Sequence, residues 1–127
     1  MTLASGDRRR ALGAEGEARA AAHLEARGYR VLGRNVRAGG VEIDLVVERD
    51  GVVIFVEVKT RRARRLGLPE EAVDARKRTR LLRGAAAWLA SARPRARRIR
   101  FDVVCCEPAP DGSFQLRHLE GAFDAGD

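Results

Sequence analysis

The chain has 127 residues, enough for one hydrophobic core and too few for two, and its 45% hydrophobic and 34% charged content describes a folding chain, not a disordered one. Nothing approaches an apolar run of transmembrane length, the candidate Val52 to Val58 being strand-sized and interrupted by Glu57, and the arginines among the first ten residues precede no hydrophobic stretch. Neither a membrane span nor a signal peptide is therefore expected, and the compartment expected is cytoplasmic. The net charge of +7 implies a polyanionic partner, and only two of the 25 basic residues are lysine, Lys59 and Lys77.

In chain order, residues 1–10 and 121–127 are expected to be loose ends of a single domain with its core at about 11–119. The first helix is expected at about 11–27, with Ala18, Ala21, Leu24 and Glu25 on one side and Gly28 as its C-terminal cap. A strand follows over 29–36, then a hairpin over 41–60 turning at Asp50-Gly51. A basic loop leads into a second helix at about 70–92, opened by acidic residues, with Leu81, Ala85, Trp88 and Ala92 as its buried stripe. Strands are expected at 99–106 and, after the Asp111-Gly112 turn, at 114–119. The order α-β-β-β-α-β, with room for a further β, describes an α/β fold with a mixed sheet flanked by helices.

The hairpin places chemistry. With a two-residue loop, paired residue numbers sum to 101, so Asp44 faces Glu57 with Cβ atoms about 5 Å apart, and Glu42 faces Lys59. Lys59 shares the face of Glu57, about 7 Å along the strand. The opposite face, Ile43, Leu45, Val47, Val52, Ile54, Val56 and Val58, forms a continuous apolar surface for a helix. Opposed carboxylates repel, and a divalent cation between them offsets that directly. Ligation by oxygen alone favours Mg²⁺ or Mn²⁺. An adjacent ammonium is suited to a phosphate oxyanion or to orienting a water. The same pattern also describes a carboxylate-rich strand face that merely meets solvent. Glu17, beside inward positions of the first helix, and the scarcity of lysine weigh toward a site.

Cys105 and Cys106 are adjacent, which disfavours a disulfide between them, and with His23 and His118 they show no zinc spacing. Their apolar run reads as core filler, with a Cys–His nucleophile as the second reading.

Between Val58 and Arg100 stand 15 basic and three acidic residues, a net +12; the rest carries 10 basic and 15 acidic, a net −5. Arg61, Arg62, Arg64 and Arg65 would reach a phosphate backbone from the loop. Arg76, Arg80 and Arg83, bordered by Lys77, would do so from one face of the second helix. The plainer reading is a solvated arginine-rich surface, and Arg93, Arg95, Arg97 and Arg98 fit both readings equally. No base-reading motif is present, so backbone or shape recognition is expected.

Asp44, twelve intervening residues and Glu57-Val58-Lys59 resemble the active-site signature of the PD-(D/E)xK nuclease superfamily. With Gly13-Ala-Glu-Gly16-Glu17, Glu42-Ile-Asp44-Leu, Phe55-Val-Glu57-Val-Lys59-Thr-Arg61 and Arg100-Phe-Asp102-Val, the chain resembles more narrowly the YraN-like bacterial proteins, which are similar to archaeal Holliday-junction resolvases. Ile43 stands where the superfamily's nominal proline would be, and Val41 separates the glycines from Glu42. The resemblance implies a restriction-endonuclease-like core and Mg²⁺- or Mn²⁺-dependent hydrolysis of phosphodiester bonds. Asp44, Glu57 and the Val58 carbonyl would be metal ligands, Glu17 would complete the metal shell, and Lys59 would be the catalytic lysine. It implies DNA more than RNA as substrate, branched DNA by analogy, and a homodimer; a non-catalytic nucleic-acid-binding module on the same fold is the alternative.

Overall fold

The computed structural model describes residues 5–60 and 74–123. Helix α1 (Ser5–Ala26) is followed by strands β1 (Arg30–Ala38), β2 (Val41–Arg49) and β3 (Val52–Thr60), helix α2 (Ala75–Ala92), and strands β4 (Arg98–Pro108) and β5 (Phe114–Phe123). The expected order holds, with the further strand present. The five strands form one sheet in sequence order, antiparallel throughout except for the parallel β3/β4 pair that α2 connects. No described helix is long and apolar enough to cross a membrane.

Helix α1 starts earlier than expected, because the arginines and alanine at 8–11 are good helix formers. It stops where expected: Gly28 takes φ 87, and the N–H groups of Gly28 and Tyr29 return to the carbonyls of Glu25 and Leu24. Ala21 and Leu24 are buried as expected, with Gly16 and Ala20 completing the stripe, whereas Ala18 and Glu25, expected on that side, are exposed. Gly16 permits close approach to β3: a Cβ there would lie 2.0 Å from Thr60 Oγ1.

Helix α2 is capped by Asp74, whose carboxylate accepts from the Lys77 N–H at 2.9 Å. Leu81, Gly84 and Ala85 are buried and Trp88 packs edge-on against Phe55, but Ala92, expected in the stripe, is exposed. The acidic pair Glu70 and Glu71, expected to open this helix, lies outside the described residues.

The two helices cover opposite faces of the sheet. Under α1 lie Leu45, Val47, Ile54, Val56, Val58, Val104 and Cys106; under α2 lie Ile43, Val46, Val53, Phe55, Phe101 and Val103. The face expected to carry the carboxylates is therefore largely core. The hairpin register is as expected for five pairs, Arg49↔Val52 to Leu45↔Val56, and stops there. Asp44 pairs with neither neighbouring strand in the regular ladders, and neither does Asn35, which adopts φ 48. This local break carries Ile43 into the α2-side core, away from the apolar face on which strict alternation would put it. The expected Glu42–Lys59 pair is likewise absent: Glu42 is opposite Arg37, whose guanidinium lies 4.0 Å from it.

Residues 121–123, expected to be loose, belong to β5. Gly121 N–H donates to Asp102, and Phe123 stacks on Phe101 at 4.6 Å. Asp102 also accepts two hydrogen bonds from Arg100 and pairs with His118 Nε2 at 2.6 Å. Burial pushes the Asp102 carboxyl up, but these donors reverse that and hold it below its ordinary value. Cys106 is fully buried with its thiol against the Gly16 carbonyl, and burial pushes it up to about 11, which fits core filler and not a nucleophile.

Candidate active site

Three carboxylates meet where β2 and β3 part. Glu57 is 9% exposed, flanked in β3 by buried Val56 and Val58. Asp44 is half-buried and accepts a hydrogen bond from the Val58 N–H at 2.8 Å, so its side chain continues the hairpin's bonding where the backbone ladder ends. Glu17, half-buried on α1, reaches Asp44 and Asn35. The break at Asn35 and Asp44 is thus what aims Asp44 at the junction of α1, β2 and β3.

The electrostatics follow from this crowding. Burial, then the neighbouring Glu57 and Glu17 charges, push the Asp44 carboxyl up to about 7, against the opposing pull of the Val58 N–H and Lys77. Burial chiefly, with the charges of Glu42 and Glu57, raises Glu17 as well. Two ammonium groups answer the acids. Lys59 Nζ lies 3.4 Å from Glu57 Oε1, and Lys77 Nζ, arriving from α2, lies 2.7 Å from the same oxygen. Burial disfavours the charged form of Lys77, but contact with Glu57 and the nearby Asp44 charge outweigh it and leave its pKa raised.

Four residues expected to act together, Glu17, Asp44, Glu57 and Lys59, are therefore brought together. Val58 contributes its N–H to Asp44. Arg76, Arg80 and Arg83 are exposed on α2, while Arg61, Arg62, Arg64 and Arg65 lie outside the described residues. Lys77 was expected to border a phosphate-binding face, and instead its side chain enters the site. Two signals point to it in the sequence: lysine is otherwise used only at Lys59, and Lys77 stands one helical turn before buried Leu81. Asn35 carried no such signal.

The donor set is all oxygen, which suits a hard divalent ion. The unfavourable charge on Asp44 beside two other carboxylates is the kind of imbalance that such an ion relieves. As the side chains stand, however, no group of three or more His, Cys, Asp or Glu among the described residues is arranged to hold an ion. Glu57 is turned to its two lysines.

A five-stranded mixed sheet with one helix on each face, and an acid–lysine cluster where its central hairpin opens, defines a small α/β protein. The chain belongs to the uncharacterised protein family UPF0102, which it matches over residues 16–106. It is 50% identical over 116 residues to a UPF0102 protein of Symbiobacterium thermophilum, covering 91% of this chain and 98% of that one. It is 45% identical over 118 residues to a UPF0102 protein of Nitratidesulfovibrio vulgaris, covering 93% and 87%. Over 113 residues it is 44% identical to a relative from Frankia alni, covering 89% and 94%.

Proposed function

We propose that this protein is a Mg²⁺- or Mn²⁺-dependent endonuclease that hydrolyses phosphodiester bonds in DNA, with a preference for branched substrates. The observation that carries the reading is the convergence on one site of Glu17, Asp44 and Glu57 with both lysines of the chain. The spacing of Asp44, Glu57 and Lys59 and the resemblance to PD-(D/E)xK and YraN-like proteins give the chemistry, and the helix-flanked mixed sheet is compatible with a restriction-endonuclease-like core.

Asp44 and Glu57 would hold the ion, with the Val58 carbonyl and Glu17 completing the shell. When bound, it supplies an acidified water and neutralises charge on the phosphate. Lys59, at the mouth of β3, places an ammonium toward the oxygens that gain charge as the phosphorus is attacked. Lys77, 2.7 Å from Glu57 Oε1, holds that carboxylate in place until substrate arrives. Burial raises the pKa of both Glu17 and Asp44, and a bound cation would favour their ionised forms. Arg76, Arg80 and Arg83 supply backbone attraction from α2 without reading bases. A homodimer would place two such sites for paired cuts.

The test is incubation with branched, flapped, linear and single-stranded DNA in Mg²⁺ or Mn²⁺. The reading predicts cleavage abolished by EDTA, by Glu57→Gln and by Lys59→Met. No metal-dependent cleavage across the panel overturns it. The second reading, a non-catalytic nucleic-acid-binding module, is favoured by the lysine-held Glu57 and by the lack of a formed ion cage among the described residues. It predicts salt-sensitive DNA binding unchanged by Asp44→Ala and Glu57→Ala.

A further inference from the structure

At the other end of β3, about 17 Å from Glu57 by strand rise, the hairpin turn and the start of β4 enclose an open cleft of about 450 Å³. Four of its lining residues are arginines, Arg49, Arg97, Arg98 and Arg100, and only one, Asp50, is acidic. These arginines come from two places far apart in sequence, the end of β2 and the segment 97–100, so the fold assembles them.

The way they are held separates them into two kinds. Arg100 is neutralised: Asp102 takes two of its hydrogen bonds, and Glu120 lies 3.8 Å away. It also donates to the Tyr29 hydroxyl, fixing one wall. Arg49 and Arg97 are oriented mainly by groups with no formal charge. Arg49 lies over the Tyr29 ring at 4.3 Å and donates to the Arg27 carbonyl, and its carboxylate neighbour Asp50, 3.7 Å away, is 84% exposed. Arg97 donates to the Asp50 carbonyl at 2.9 Å, while its own N–H donates to the Gly51 carbonyl. Neither Arg97 nor exposed Arg98 has a carboxylate partner among the described residues. Carbonyls and a ring face aim a guanidinium without cancelling its charge, which is how an anion receptor is preorganised. Val52 and Ile54 provide an apolar floor that strengthens attraction to an anion.

We propose that this cleft is a second binding site, specific for a phosphate group, held by Arg49, Arg97 and Arg98. It is distinct from the acid–lysine site and does not depend on that site being catalytic. The phosphate is either a free one, as inorganic phosphate or a nucleotide terminus, or one in a nucleic-acid backbone.

The test follows the arginine Nε–H signals of the full chain by NMR during titration with inorganic phosphate, and separately with a short single-stranded DNA, at fixed ionic strength set with chloride. Saturable shifts of Arg49, Arg97 and Arg98 with phosphate support the proposal with a free phosphate as the source. The same shifts with DNA alone support it with the backbone as the source. Arg98→Gln, whose side chain anchors nothing described, and Arg97→Gln should each weaken the responding titration at least about five-fold. Glu57→Gln should leave it unchanged, even if no DNA cleavage is ever seen. Absence of shifts at these arginines in both titrations, or binding by Arg98→Gln and Arg97→Gln as tight as that of the wild type, overturns the proposal.

Discussion

Lys77 Nζ lies 2.7 Å from Glu57 Oε1, joining helix α2 to strand β3 across the edge of the core, and Lys59 Nζ is 3.4 Å from the same oxygen. Both lysines of a chain with 25 basic residues thus meet one carboxylate. Arginine serves everywhere else, including beside the fully buried carboxylate of Asp102, whereas both cations at Glu57 are compact ammonium groups that act as point charges without a fixed fork.

If Lys77 occupies Glu57 in place of a metal ion, removing it eases metal entry. Lys77→Met is expected to bind Mn²⁺ roughly two- to five-fold more tightly by calorimetry, the worth of one partly exposed ion pair. Weaker Mn²⁺ binding by this variant would show that Lys77 supports the metal site and does not compete with it.

Asp102 ties β4 to β5 through Arg100, His118 and Gly121. Asp102→Ala leaves the Arg100 guanidinium without its main acceptor and is expected to cost about 2–4 kcal/mol in urea denaturation at pH 7. The folded-state pKa of Asp102 is depressed, so its contribution is present above its ordinary value of 3.8 and is lost as the pH falls through the depressed one. The gap between wild type and Asp102→Asn should therefore narrow as the pH is lowered below 3.8. A gap that widens on acidification would contradict the assignment.

Gly16 sets how closely α1 approaches β3. Gly16→Ala drives a methyl group into Thr60, whose Oγ1 and Cβ would lie 2.0 and 3.1 Å from it, and that moves α1 and with it Glu17. A loss of about 1–3 kcal/mol is expected in thermal unfolding. Gly13→Ala, where a Cβ meets nothing within 4 Å, should be neutral or slightly stabilising.

Much of this arrangement was legible because the hairpin is strongly signalled. Asp50-Gly51 takes positive φ at both residues, which fixes the register from Arg49↔Val52 to Leu45↔Val56 and puts Glu57 and Lys59 at the far end of β3. What alternation alone did not reveal is the break at Asp44, which coincides with Asn35 adopting φ 48 on the neighbouring strand. Strict alternation puts Ile43 on one face with Leu45 and Val47, whereas it packs in the core under α2. The phase of α1 was equally hard to read, since alanines occur all round it and Gly16, chosen for contact with Thr60, carries no hydrophobic signal. The entry of Lys77 required knowing that α2 packs over β2 and β1 with Lys77 reaching across to Glu57 on β3, which no local pattern encodes.

The proposed chemistry requires Asp44 and Glu57 to form one cation site. The most direct measurement is anomalous diffraction at the manganese edge from crystals soaked in Mn²⁺. A peak within coordination distance of both carboxylates is expected, with Lys77 Nζ withdrawn from Glu57. A crystal with no peak there, and Glu57 still paired to Lys77 and Lys59, would contradict it.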